Sequence, residues 1–165
     1  MRVAVLVAAL LSLLAGSSQA LTPHGPCCYL PPDVKPCTLA QGRALVESFV
    51  RAFNAGNTRR LNLIFAREPA FQWYSTGNPG QRFGAEAENR ATLMRYFAAR
   101  HRQRERLRLV TFVGGAAPRG DFGFGFHLER RAIGYGPRVL QGKGSLFCSA
   151  HGNRIIVWSN GAAVQ

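Results

Sequence analysis

Over residues 122–129 the chain alternates without a break. Phe122, Phe124, Phe126 and Leu128 are large and apolar, while Gly123, Gly125, His127 and Glu129 between them are small or polar. A period of two marks a β-strand with one buried face. Three neighbouring phenylalanines on a surface would form an apolar patch that soluble monomers avoid. The pattern therefore turns the phenylalanines toward a core and His127 and Glu129 away from it. The same period runs through 106–113, and Gly114, Gly115 and Pro118 turn the chain between the two strands. A third strand is expected over about 142–150, then a tight turn at His151, Gly152 and Asn153, and a last strand over 154–159. Strands in succession with short connections make an antiparallel meander.

The first half of the chain repeats differently. Thr38 with Gln41 has the spacing of a capping box. Leu45, Phe49 and Phe53 follow at four-residue intervals, joined by Val46 and Ala52, which is the apolar stripe of an amphipathic helix. Asn54, Ala55 and Gly56 end it. Asn57 or Thr58 caps a second, shorter helix carrying Leu61, Ile64 and Phe65, and Pro69 stops it. A short strand over 71–75 precedes a loop through Gly77, Pro79, Gly80 and Gly84. A third helix is expected over about 89–101, with Leu93, Tyr96, Phe97 and Arg100 on one side. Three helices followed by a meander give an α+β fold. They argue against a β-sandwich.

The N-terminus reads as an export signal. Arg2 supplies a positive start, 3–14 is almost wholly Val, Ala and Leu, and 15–20 is small, with Ser18 and Ala20 placed for cleavage after Ala20. The apolar run is too short to span a bilayer as a stable helix, and no second such run follows. The expectation is a signal peptide over 1–20, a protein secreted or held in the periplasm or cell envelope, and no membrane span in the mature form. Residues 21–37 hold Pro23, Pro26, Pro31, Pro32 and Pro36 and read as an irregular arm. A domain is expected over 38–162.

Four cysteines remain after such cleavage: Cys27, Cys28, Cys37 and Cys148. An even count in an oxidising compartment points to disulfides. Adjacent cysteines bond each other only under strain. Cys27 and Cys28 are therefore each expected to bridge to Cys37 or Cys148, tying the arm to a strand near the C-terminus. The spacing does not match a zinc site, and no ligand spacing joins His101, His127 and His151. No metal or cofactor is expected.

The formal charge is +13, and all but Lys35 and Lys143 of the 21 basic residues are arginine. Such a surface favours anionic partners, and export makes nucleic acid a poor one. The densest cluster is Arg100, Arg102, Arg104 and Arg106, a candidate anion patch. With 47% hydrophobic and 18% charged residues, the composition excludes a disordered chain.

The segment 49–65, FVRAFNAGNTRRLNLIF, resembles the opening of the NTF2-like superfamily, which includes SnoaL-like and ketosteroid-isomerase-like domains. There two helices meet at a similar Ala-Gly-Asn step. Residues 142–148, with Gly152 to Ile156 and Trp158, are similar to the paired last strands of those domains. The resemblance covers about 38–162. It implies a cone-shaped, cystatin-like domain: a bent antiparallel sheet wrapped around about three helices, with a pocket at the open end. Glycines at 123, 125, 142 and 144 stand where such a sheet would bend. The wall of an implied pocket would come from Trp73, Tyr74, Tyr96, Phe97, Phe124, Phe126 and Trp158. The reading that follows is non-catalytic binding of a small apolar ligand or a protein partner, in a monomer or a homodimer. Two alternatives stand beside it. One is an acid–base isomerase or cyclase of the SnoaL or ketosteroid-isomerase type, for which His127 and Glu129, sharing a strand face, are the catalytic candidates. The other is a basic module for anionic envelope polymers.

Overall fold

The computed structural model describes residues 30–76, 85–87 and 89–162. The signal-peptide reading, Cys27 and Cys28 lie outside the described residues. Helix α1 (Leu39–Asn54) opens with the expected capping box. The Gln41 amide donates to Thr38 Oγ1 at 3.2 Å and the Thr38 amide donates to Gln41 Oε1 at 2.9 Å. Its buried stripe is Leu45, Val46, Phe49, Val50, Ala52 and Phe53. Asn57 caps α2 (Thr58–Ile64), its side chain accepting from the Arg60 amide at 2.9 Å. Asn89 caps α3 (Arg90–Arg102) in the same way. These side-chain oxygens satisfy amides that have no partner within the first turn.

Seven strands are described: β1 (Val34–Lys35), β2 (Trp73–Thr76), β3 (Ala85–Ala87), β4 (Arg106–Ala116), β5 (Phe122–Ala132), β6 (Tyr135–Ser149) and β7 (Arg154–Ala162). Six lie side by side in the order β3-β2-β7-β6-β5-β4, and β1 pairs with β6 off that path. The pairing of β2 with β7 is parallel; the other pairings are antiparallel. Strand β6 begins earlier than the expected 142–150 and takes in Gly136 and Pro137. They fall where the β5–β6 register shifts, between Arg130 and Ala132. An irregularity of that kind tolerates a proline that a regular ladder would not.

The inward faces of the sheet and the stripes of the helices form one core, including Phe122, Phe124, Phe126, Leu128, Leu140, Leu146 and Trp158 from the strands. Two glycines permit this packing. Phe124 pairs with Gly144 and Phe126 with Gly142 across β5 and β6. A Cβ on Gly142 would come within 2.1 Å of the Phe126 ring, and one on Gly144 within 2.6 Å of the Phe124 ring. The rings occupy the space that the missing side chains leave. Gly123 and Gly125 face the other side of the sheet; a Cβ at Gly123 would meet open space, and one at Gly125 only ordinary contacts.

The cysteine pairing differs from the expected one. Cys37 bonds Cys148, with Cα atoms 5.4 Å apart. The cause is local: β1 lies against β6 with Lys35 opposite Cys148, which carries Cys37 alongside. The arm is still tied to a strand near the C-terminus, but not through Cys27 or Cys28. Peptide mapping of unreduced protein should find Cys37 crosslinked to Cys148, and Cys148→Ser should cost about 2–4 kcal/mol. A map linking Cys148 to Cys27 or Cys28 would refute the pairing.

Candidate functional site

The parallel β2–β7 pair sets Tyr74 beside Trp158 and Thr76 beside Asn160. All four side chains are buried on the concave face. Trp158 is wholly enclosed: its ring lies 4.2 Å from that of Phe126, 4.6 Å from Phe49, 6.0 Å from Phe124 and 6.4 Å from Tyr74. Tyr74 also meets Phe97 at 5.3 Å and Tyr96 at 5.4 Å. Of the seven residues expected around a pocket, Tyr74, Tyr96, Phe97, Phe124, Phe126 and Trp158 thus share one aromatic interior. The backbone of Trp73 lies in β2 opposite Val157. Phe49 and Phe65 join the cluster too; their helical spacing marks them as core and carries no other signal.

Polar groups are set into this interior. Tyr96 shares hydrogen bonds with Tyr74 and Thr76. Among the described residues, Trp158 Nε1 and Asn160 Oδ1 are buried without a hydrogen-bond partner. Burial is the main force that pushes the Tyr74 hydroxyl well above its ordinary value and Tyr96 up to about 12, and the negative charge of Glu105 adds to both. Both therefore remain O–H donors through the neutral range. A tyrosine raised in the folded state stabilises the fold below its unfolded value of 10.0, and that contribution is lost as pH rises toward about 12. Phenolate absorbance should accordingly show Tyr74 and Tyr96 ionising only with alkaline unfolding. Tyr96→Phe should flatten the fall in stability over that window. Four phenolates in the folded protein near pH 10 would contradict the burial.

A charged cluster borders the tyrosines. Glu105 is buried between Arg100 of α3 and Arg130 of β5. The turn after α3 builds it. The Arg104 amide donates to His101 O at 2.9 Å and the Glu105 amide to Arg100 O at 3.2 Å, with Arg104 left-handed at φ 52°. This is a Schellman closure, which brings the residue after the left-handed position back over the helix's third-last residue. Here the contact is an ion pair, where an apolar one is usual. Arg100 Cζ also lies 6.0 Å from the centre of the Tyr96 ring. Burial holds the Glu105 carboxyl above its ordinary value, against the opposing pull of Arg100. Arg130 Nη2 lies 2.9 Å from the same oxygen.

The expected anion patch is therefore divided. Arg100 is buried; Arg102, Arg104 and Arg106 are exposed. The helical spacing of Arg100 with Leu93 and Phe97 turns it inward, and Glu105 gives it a partner there. The two catalytic candidates lie on the opposite face of β5 from the phenylalanines. Glu129 is bound by Arg108 and, at 2.7 Å, by Arg131, and these bonds hold its carboxyl below the usual range. His127 Nδ1 lies 2.6 Å from Thr111 Oγ1. Neither reaches the aromatic interior. Among the described residues no group of three or more His, Cys, Asp or Glu is gathered to hold a metal ion. No helix among them is long and apolar enough to cross a membrane.

No protein-family model matches the sequence, and no curated protein matches it. Solved structures do match in fold. A candidate dehydratase of the NTF2-like family from Streptomyces avermitilis superimposes with a TM-score of 0.63 at 10% identity, over 77% of this chain and 96% of that one. A protein of cystatin-like fold from Caulobacter vibrioides gives 0.61 at 15% identity, over 76% and 89%. An NTF2-like protein with a cystatin-like fold from Novosphingobium aromaticivorans gives 0.59 at 15%, over 74% and 80%. The fold is NTF2-like. In this fold the strand order β3-β2-β7-β6-β5-β4 sets Trp158 of β7 among the buried core residues. A shared fold leaves the chemistry to the particular side chains.

Proposed function

We propose that this NTF2-like domain is exported and binds, without catalysing a reaction, a small and largely apolar molecule bearing an oxygen that can hydrogen-bond. One observation carries the reading. A buried donor, Trp158 Nε1, and a buried acceptor, Asn160 Oδ1, lie without partners among the described residues on the strand that carries the aromatic interior. Buried polar groups are costly unless bonded, and a mainly apolar site with a few placed polar groups is the usual form of a ligand pocket. Proton abstraction would need a carboxylate or imidazole aimed into that interior. Among the described residues, Glu105 is the carboxylate whose charge acts on both tyrosines, and it is engaged by two guanidiniums. Export is supported by the layout of 1–20 and by a disulfide, a bond that persists in oxidising compartments. N-terminal sequencing of exported protein should begin at Leu21.

The likeness to a candidate dehydratase is what favours the acid–base alternative. Titration with 2-naphthol separates the readings. Its hydroxyl can accept from Trp158 Nε1–H and donate to Asn160 Oδ1. A saturable shift of the Trp158 indole N–H signal is expected, with affinity about tenfold weaker in Asn160→Leu. No saturable shift would end the binding reading. Uptake of solvent deuterium into a β,γ-unsaturated ketone would establish the alternative.

A further inference from the structure

One region of the surface collects arginines without matching acids. Arg60 lies in α2, Arg67 follows that helix, Arg90 opens α3 and Arg154 opens β7. Glu68 is close, but its Oε1 accepts from the Arg90 amide at 2.8 Å. Arg90 is committed as well, donating to the carbonyls of Phe65 at 2.8 Å and Ala66 at 2.7 Å where α2 ends. Among the described residues, Arg60, Arg67 and Arg154 have no carboxylate partner. Burial first, and then the like charges of Arg60 and Arg67, lower the Arg154 guanidinium.

Arg60 and Arg154 border a groove of about 350 Å³ between α1, α2 and the turn from β6 to β7, with Ser48, Leu63, Gly152 and Asn153 also on its walls. Neutral oxygens orient both guanidiniums. Arg60 Nε and Nη2 donate to Ser48 Oγ at 3.3 and 3.2 Å. Arg154 Nη1 donates to Asn153 O at 2.9 Å and its Nη2 to His151 O at 3.5 Å. The Arg154 side chain lies across Gly152, whose φ of +108° favours glycine and where a Cβ would come within 2.8 Å of Nη1. Such bonds fix the planes of the guanidiniums without cancelling their charge. Each guanidinium carries five N–H donors, so further donors remain for a ligand.

We propose that this groove is a binding site for a phosphate group, separate from the aromatic interior. The negative charge of a phosphate would relieve the repulsion among the arginines, and its oxygens match the forked guanidinium donors. Leu63, 44% exposed on the groove wall, suits a hydrocarbon portion if the phosphate is a lipid headgroup.

The test is NMR titration of the intact protein with inorganic phosphate and, separately, with monomeric dihexanoyl phosphatidylglycerol, using chloride at equal ionic strength as control. Both phosphates should shift the amides of Ser48, Gly152 and Asn153 saturably, and chloride should not. Tighter binding of the lipid with movement of the Leu63 methyls identifies a headgroup; equal affinity identifies the free ion. Arg60→Gln should weaken binding about tenfold or more, with the Trp158 indole signal unmoved as a check on folding. Arg154→Gln should do the same. Shifts as large with chloride, or unchanged affinity in Arg60→Gln, would overturn the site.

Discussion

Replacing Trp158 with alanine is expected to lower the unfolding free energy by about 3–5 kcal/mol. The residue has no solvent exposure and joins three parts of the fold: Phe49 of α1, Phe124 and Phe126 of β5, and Tyr74 of β2. The cost of such a cavity depends on how far its surroundings can collapse. Here the residues opposite Phe126 and Phe124 are Gly142 and Gly144, which have no side chains to move into the space. The upper part of the range is therefore expected. Trp158→Phe should lose less, because a ring remains and the unpartnered Nε1–H is removed with the indole. Urea unfolding with the disulfide intact measures both. A loss under about 1 kcal/mol for the alanine variant would show that the site refills or is open to water.

The sequence made the class of fold legible because each half repeats with its own period. The caps at Thr38 and Asn57 and the alternation over 122–129 are local signals, and they mark local structure correctly. The strand order is not local. Nothing in 73–76 shows that it will lie parallel to β7, yet that pairing puts Tyr74 and Thr76 beside Trp158 and Asn160. The Cys37–Cys148 bond depends in the same way on β1 reaching β6. The charged cluster was present in the pattern but hidden by residue type. Arg130 continues the inward series of Phe126 and Leu128, and Arg100 continues that of Leu93 and Phe97. Arg100 is grouped in the sequence with an exposed anion patch, because arginine is seldom buried unless paired. The partner, Glu105, is supplied by a left-handed Arg104, at a position where glycine is usual.

Glu105→Gln tests that cluster and should cost about 3–5 kcal/mol at neutral pH. Two effects oppose each other at this carboxyl. Burial favours a neutral residue, since Glu105 is 3% exposed. Against it, Arg100 and Arg130 both bind Oε2, and removing the negative charge leaves two buried cations repelling each other at low dielectric. Taking one partner from a buried ion pair is normally far more costly than replacing the whole cluster with apolar side chains. On that basis Arg130→Met in the Glu105→Gln background should restore part of the lost stability, because it removes one of the two cations. The non-additivity in a double-mutant cycle measures the coupling directly. A neutral or stabilising Glu105→Gln would mean that desolvation outweighs the ion pairing. Glu105 would then be a carboxyl that takes up a proton readily beside Tyr74 and Tyr96, and the acid–base reading of the interior would gain the group it lacks.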